Sequence, residues 1–78
     1  MGNQNITARV DASGLSCPMP IVKAAQAVKG VDSGQLVEVI ATDAGSVKDF
    51  ESWSRSTGNE LVESTVENGK YRYVLRKR

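Results

Sequence analysis

Seventy-eight residues, 40% hydrophobic and 24% charged, describe one small soluble domain spanning residues 1–78, with a thin core that buries only a little over ~60% of the unfolded surface. A single cysteine excludes an internal disulfide and fits a reducing compartment, so a cytoplasmic protein is expected. The absence of histidine removes Cys–His catalysis and most zinc sites, and neither metal nor cofactor is expected.

Residues 1–5 are polar and read as a frayed end, with no signal-peptide pattern. Ile6, Ala8 and Val10 alternate with Thr7, Arg9 and Asp11, which predicts a short half-buried strand. The turn Ala12-Ser13-Gly14 then delivers the chain to Leu15-Ser16-Cys17-Pro18-Met19-Pro20. Proline is tolerated in a helix only in its first turn, so two prolines at spacing two mark a helix start with Cys17 at or just before the N-cap. Free N–H groups on Met19 and Ile21, with the positive end of the helix dipole, would there favour a thiolate and depress the thiol pKa. A lone cysteine is more often an inert buried hydrophobe, but a core position needs no such rigid Pro-x-Pro collar.

The helix is expected to run to about Lys29, with Ile21, Val22, Ala24, Ala25 and Val28 on one face and Gly30 as its stop. After a loop, Leu36 to Thr42 is apolar nearly throughout and predicts a central strand. Ser46 and Asp49 resemble a capping box opening a second helix, with Val47, Phe50 and Trp53 in phase as core anchors and Gly58 as its end.

Asn68-Gly69 signals a two-residue hairpin, which would set Glu67 against Lys70, Val66 against Tyr71, Thr65 against Arg72, Ser64 against Tyr73 and Val62 against Leu75. Residues 70–78 hold five of the ten basic residues and no acid, against a formal net charge of +1. Lys70 and Arg72 alternate with tyrosines and read as the solvent face of a strand. That leaves Arg76-Lys77-Arg78 as a tail, and no direct nucleic-acid binding is expected. The order β-α-β-α-β-β predicts an α/β (α+β) two-layer sandwich, a four-stranded mixed sheet with two helices on one face.

The segment DASGLSCPMPI, Asp11 to Ile21, resembles the signature of the TusA-like (SirA-like) sulfur-carrier family: Cys-Pro-x-Pro after a first strand, commonly preceded by Gly-Leu. Here those positions are Gly14, Leu15, Cys17, Pro18 and Pro20. The likeness continues through ATDAGSVKDF (41–50) and TGNEL (57–61), and departs at Ala44, where the family commonly has proline. The resemblance implies the same sandwich and a sulfurtransferase that holds sulfur as a persulfide on Cys17. It further implies a sulfur-donor protein of the cysteine desulfurase or rhodanese type and an acceptor sulfurtransferase. Some relatives act beside thiosulfate-uptake membrane proteins, so direct processing of thiosulfate is an alternative. A non-catalytic interaction module with a structural Cys17 is another.

With no second cysteine to resolve a persulfide, the sulfur must leave to another molecule, which favours a carrier over a disulfide-exchange enzyme. The partner surface is expected around Cys17, on Met19, Lys23 and the Asp43 loop, with the carrier itself a monomer.

Overall fold

The computed structural model describes residues 5–78; the frayed end expected for the first residues therefore lies, for 1–4, outside the described residues. The element order is β1 (Ile6–Ala12), α1 (Met19–Lys29), β2 (Leu36–Ala41), α2 (Ser46–Thr57), β3 (Glu60–Glu67) and β4 (Lys70–Arg76). The four strands form one mixed sheet in the order β1-β2-β4-β3. β1 and β2 are parallel, with Ala12 beside Ala41, while β4 runs antiparallel to both β2 and β3. β2 is thus central, as its nearly continuous apolar run implies: Val37, Val39 and Ala41 are fully buried and alternate with half-buried Leu36, Glu38 and Ile40. Because β1, β2 and β3 all point the same way, their C-terminal ends meet at one edge of the sheet. The loop bearing Cys17, the start of α2 and the hairpin turn all lie at that edge.

The hairpin register follows the Asn-Gly turn from Glu67–Lys70 up to Glu63–Val74. It then departs: Leu61, not Val62, opposes Leu75, because a bulge between Leu61 and Glu63 inserts one residue. The bulge turns Leu61 toward the helices, where it packs against the core. Val62 instead lies beside Leu36 and Arg76, in a groove of about 770 Å³ at the end of the sheet away from Cys17.

α1 buries Pro20, Ala24 and Val28, a stripe at spacing four, and the small alanine lets the helix lie close on β1 and β2. Val22, expected on the apolar face, is 39% exposed instead. Residue 22 falls on the far side of a stripe that starts at Pro20 rather than Ile21. α2 buries Phe50, whose ring stacks on Tyr73 at 4.3 Å with 21° between planes and meets Trp53 edge-on at 6.4 Å. Its C-terminus closes on Gly58 in the left-handed region, φ 81°, whose N–H donates to the Ser54 carbonyl at 2.9 Å. A side chain there would also meet Arg78, whose Cδ lies 2.8 Å from where a Cβ would sit.

The capping box is absent. Gly45 is the N-cap, no side chain caps the helix, and the Ser46 hydroxyl is buried in a 2.6 Å hydrogen bond with the Tyr73 hydroxyl. A buried tyrosine needs a partner for its O–H, and Ser46 is the residue within reach.

The face away from the helices carries a charge ladder across all four strands. Arg9 pairs with Glu38 at 3.2 Å, Arg72 with Glu38 at 2.6 Å, and Arg72 with Glu63. Beneath it Val74 is fully buried, covered by these long side chains. Nor do the last residues hang free. The Lys77 N–H donates to the Gln35 carbonyl at 3.0 Å, Lys77 Nζ to the Val31 carbonyl at 2.7 Å, and the Arg78 N–H to Asn59 Oδ1 at 2.8 Å. The expected basic tail is a continuation of β4, held because the Gln35 and Val31 carbonyls of the loop before β2 and the Asn59 side chain after α2 lie beside it.

Candidate functional site

The Cys17 loop is fastened at both ends before it reaches the cysteine. The Leu15 N–H donates to the Ala12 carbonyl at 3.2 Å and closes the turn that leaves β1. Gly14 sits at φ +79°, a conformation a side chain would strain, and its N–H donates to Thr42 Oγ1 at 2.9 Å. Leu15 packs half-buried against the core. The Cys17 N–H donates to Asp43 Oδ2 at 3.2 Å, joining the loop to the end of β2. These bonds fix the backbone and leave the Cys17 side chain exposed and outside any disulfide.

The two prolines do different work. Pro18 is the exposed N-cap of α1, and its carbonyl accepts the Val22 N–H at 3.1 Å. Pro20 lies in the first turn but is fully buried, one of the larger side chains in the interior. Pro20→Ala is therefore expected both to loosen the Cys17 loop and to cost about 2 kcal/mol in stability from lost ring burial and a freer unfolded chain. Chemical denaturation checks the second effect; an unchanged midpoint would mean that the ring fills no necessary space.

The electrostatics correct the expectation of an activated thiol. Side-chain hydrogen bonding to Asp49 comes first among the causes that push the Cys17 thiol above the ordinary cysteine range, followed by desolvation and the charges of Asp49 and Asp43. The helix N-terminus is also less available than its place in the sequence suggests, because the Met19 N–H is already taken by the Ser16 carbonyl at 2.9 Å. The carboxylates of Asp49 and Asp43 act on the thiol against the dipole of α1.

The other expected residues gather here. Met19, 42% exposed, and Lys23 stand on the first turns of α1, and half-buried Asp43 borders the loop. Two residues were missed. Val22 extends the exposed apolar surface beside Met19. Asp49 reads in sequence as part of a helix cap, and the signal for its other role is topological: α2 begins at the same sheet edge as the Cys17 loop. Among the described residues, no group of His, Cys, Asp or Glu side chains is arranged to hold a metal ion.

A family model described as Sulfurtransferase TusA matches residues 8–77. The chain is 52% identical over 68 residues to the sulfur carrier protein TusA of Allochromatium vinosum, covering 87% of this chain and 90% of that protein. It is 44% identical to the putative sulfur carrier protein YrkI of Bacillus subtilis, covering 87% and 91% of the two chains. The crystal structure of a SirA-like protein from Desulfitobacterium hafniense superposes with a TM-score of 0.78 at 22% identity, over 88% of this chain and 95% of that one, and shares the fold.

Proposed function

The chain belongs to the TusA sulfurtransferase family, and on that premise we propose that it carries sulfur as a persulfide on Cys17, loaded by one protein and unloaded by another. The observation that carries this reading is the exposed thiol on a backbone tied to both β1 and β2. An exposed position counts against a purely structural cysteine.

In loading, the Cys17 thiolate attacks the outer sulfur of a donor persulfide. A new S–S bond forms to Cys17, the donor's own S–S bond breaks, and the donor departs as a thiolate. Unloading is the same exchange reversed: an acceptor thiolate takes the outer sulfur and Cys17 leaves as the thiolate. Neither step needs an external oxidant. The donor is a desulfurase or rhodanese-type protein, the acceptor a further sulfurtransferase, and the carrier works as a cytoplasmic monomer. Among the described residues no helix is long and apolar enough to cross a membrane.

The partner surface centres on the exposed Met19 and Val22, with Lys23 and Asp43 at its border. Isotope-labelled sulfur supplied through a cysteine desulfurase should appear on the carrier and then move to an acceptor thiol. Lys23→Glu should change the rate of loading and its salt dependence more than the extent of loading. Equal effects from Lys77→Glu would place the partner elsewhere.

A further inference from the structure

β3 is an outermost strand of the sheet, and among the described residues no strand pairs with its outer side. Its last four residues, 64–67, are exposed, and Val66 stands 61% exposed, more than Met19 or Val22. The other half of the strand is guarded. Leu61 packs into the core there, and the bulge between Leu61 and Glu63 breaks the regular spacing an added strand would need. From Glu63 to Glu67 the register runs without a shift.

The turn decides where the backbone groups of this half point. In a two-residue hairpin the flanking pair, here Glu67 and Lys70, exchanges hydrogen bonds, and bonded and non-bonded pairs alternate from it. Val66 and Ser64 therefore turn their N–H and C=O groups away from β4, toward the open side of the strand. The side chains alternate as well: Glu63, Thr65 and Glu67 share the face of the charge ladder, and Ser64 and Val66 the helix face.

β3 carries Glu60, Glu63 and Glu67 and no basic residue. On its inner side β4 matches them: Glu60 pairs with Arg76 at 3.0 Å, Glu63 pairs with Arg72, and Glu67 lies opposite Lys70. A second copy of the chain is a poor occupant of the outer side. Two β3 strands paired antiparallel about Thr65 would set glutamate against glutamate on either side of it. A strand alternating basic and apolar residues, as β4 does, meets no such conflict.

We propose that the free edge at residues 64–67 is a docking site for an extended segment of a partner protein. The segment adds to the sheet beside β3, with basic residues opposite Glu63 and Glu67 and an apolar residue beside Val66. Main-chain hydrogen bonds to Ser64 and Val66 hold it, and the glutamates select it over another copy of the carrier. The hairpin turn and the Cys17 loop lie at the same edge of the sheet, so a partner held there is tethered at the end of the molecule that bears the thiol.

The test is an amide NMR titration of the whole protein with an acetylated, amidated peptide that has the sequence of residues 70–74, Lys-Tyr-Arg-Tyr-Val. Saturable shifts and slowed hydrogen exchange are expected at Ser64 and Val66, with binding weakened several-fold by added salt. A peptide with glutamate at both basic positions should bind several-fold more weakly, and Glu67→Lys should weaken binding of the basic peptide to a similar degree. Val66→Pro removes an N–H that the hairpin does not use, so the domain should fold and the peptide should no longer bind. No saturable binding, shifts centred on α1 or the charge ladder instead of residues 64–67, or equal binding of the acidic peptide overturns the proposal. Should Val66→Pro fail to fold, Glu67→Lys and the wild-type exchange pattern decide. The titration needs no sulfur donor, so its outcome is separate from whether Cys17 takes up sulfur.

Discussion

Phe50→Ala is expected to remove about 3–5 kcal/mol of stability, the usual range for emptying a buried aromatic site. Domains as a class hold only about 5–15 kcal/mol in total, and one this small has little in reserve. The ring is fully buried and stacked on Tyr73, so its loss opens the interior between α2 and the sheet. The Cys17 loop should loosen with it, because α2 begins at Ser46, whose N–H holds the Asp43 carbonyl, and Asp43 in turn takes the Cys17 N–H. Urea unfolding followed by Trp53 fluorescence measures the effect. A loss below about 1 kcal/mol would mean that the neighbours collapse into the gap and that the stacked pair is not the centre of the core.

Cys17→Ser should abolish sulfur loading completely while moving the unfolding midpoint little. Both halves follow from position. The thiol is the chain's only sulfur nucleophile, since methionine is a thioether with no ionisable proton. It is exposed, so replacing its sulfur by oxygen removes little buried surface. Residual loading on the serine variant would place the acceptor atom outside Cys17. A large loss of stability would revive the structural-cysteine reading.

The element order, the central position of β2 and most of the hairpin register are legible in the sequence because each is written in local chemistry. Alternation in Ile6–Ala12, a near-continuous apolar run from Leu36 and an Asn-Gly turn all specify backbone states without knowledge of the partners. The bulge at Val62 is not legible, because Leu61 and Val62 are equally apolar and only the facing helix decides which turns inward. Ser46 shows the same limit. Its capping signal is genuine as a pattern, yet the buried Tyr73 hydroxyl requires a partner and takes the serine out of the cap.

The position of Cys17 at the mouth of α1 was legible from the prolines, but the sign of the charge there was not. Asp43 and Asp49 lie 26 and 32 positions further along the chain, and parallel pairing of β1 with β2 is what brings the loop after β2 and the start of α2 to the cysteine's end of the sheet. Likewise Arg76-Lys77-Arg78 looks like a basic tail in one dimension and becomes an extension of β4 once the Gln35 and Val31 carbonyls lie beside it.

The central claim, that Cys17 carries sulfur, is tested most directly by the intact mass of the wild-type protein after incubation with a desulfurase plus cysteine, a rhodanese plus thiosulfate, or thiosulfate alone. The account predicts a gain of one sulfur atom with a protein donor, removed by a reductant and mapped to Cys17. Loading by thiosulfate alone would identify the small molecule as a direct source. An unchanged mass with all three donors, for a folded protein whose thiol is open to alkylation, would contradict it.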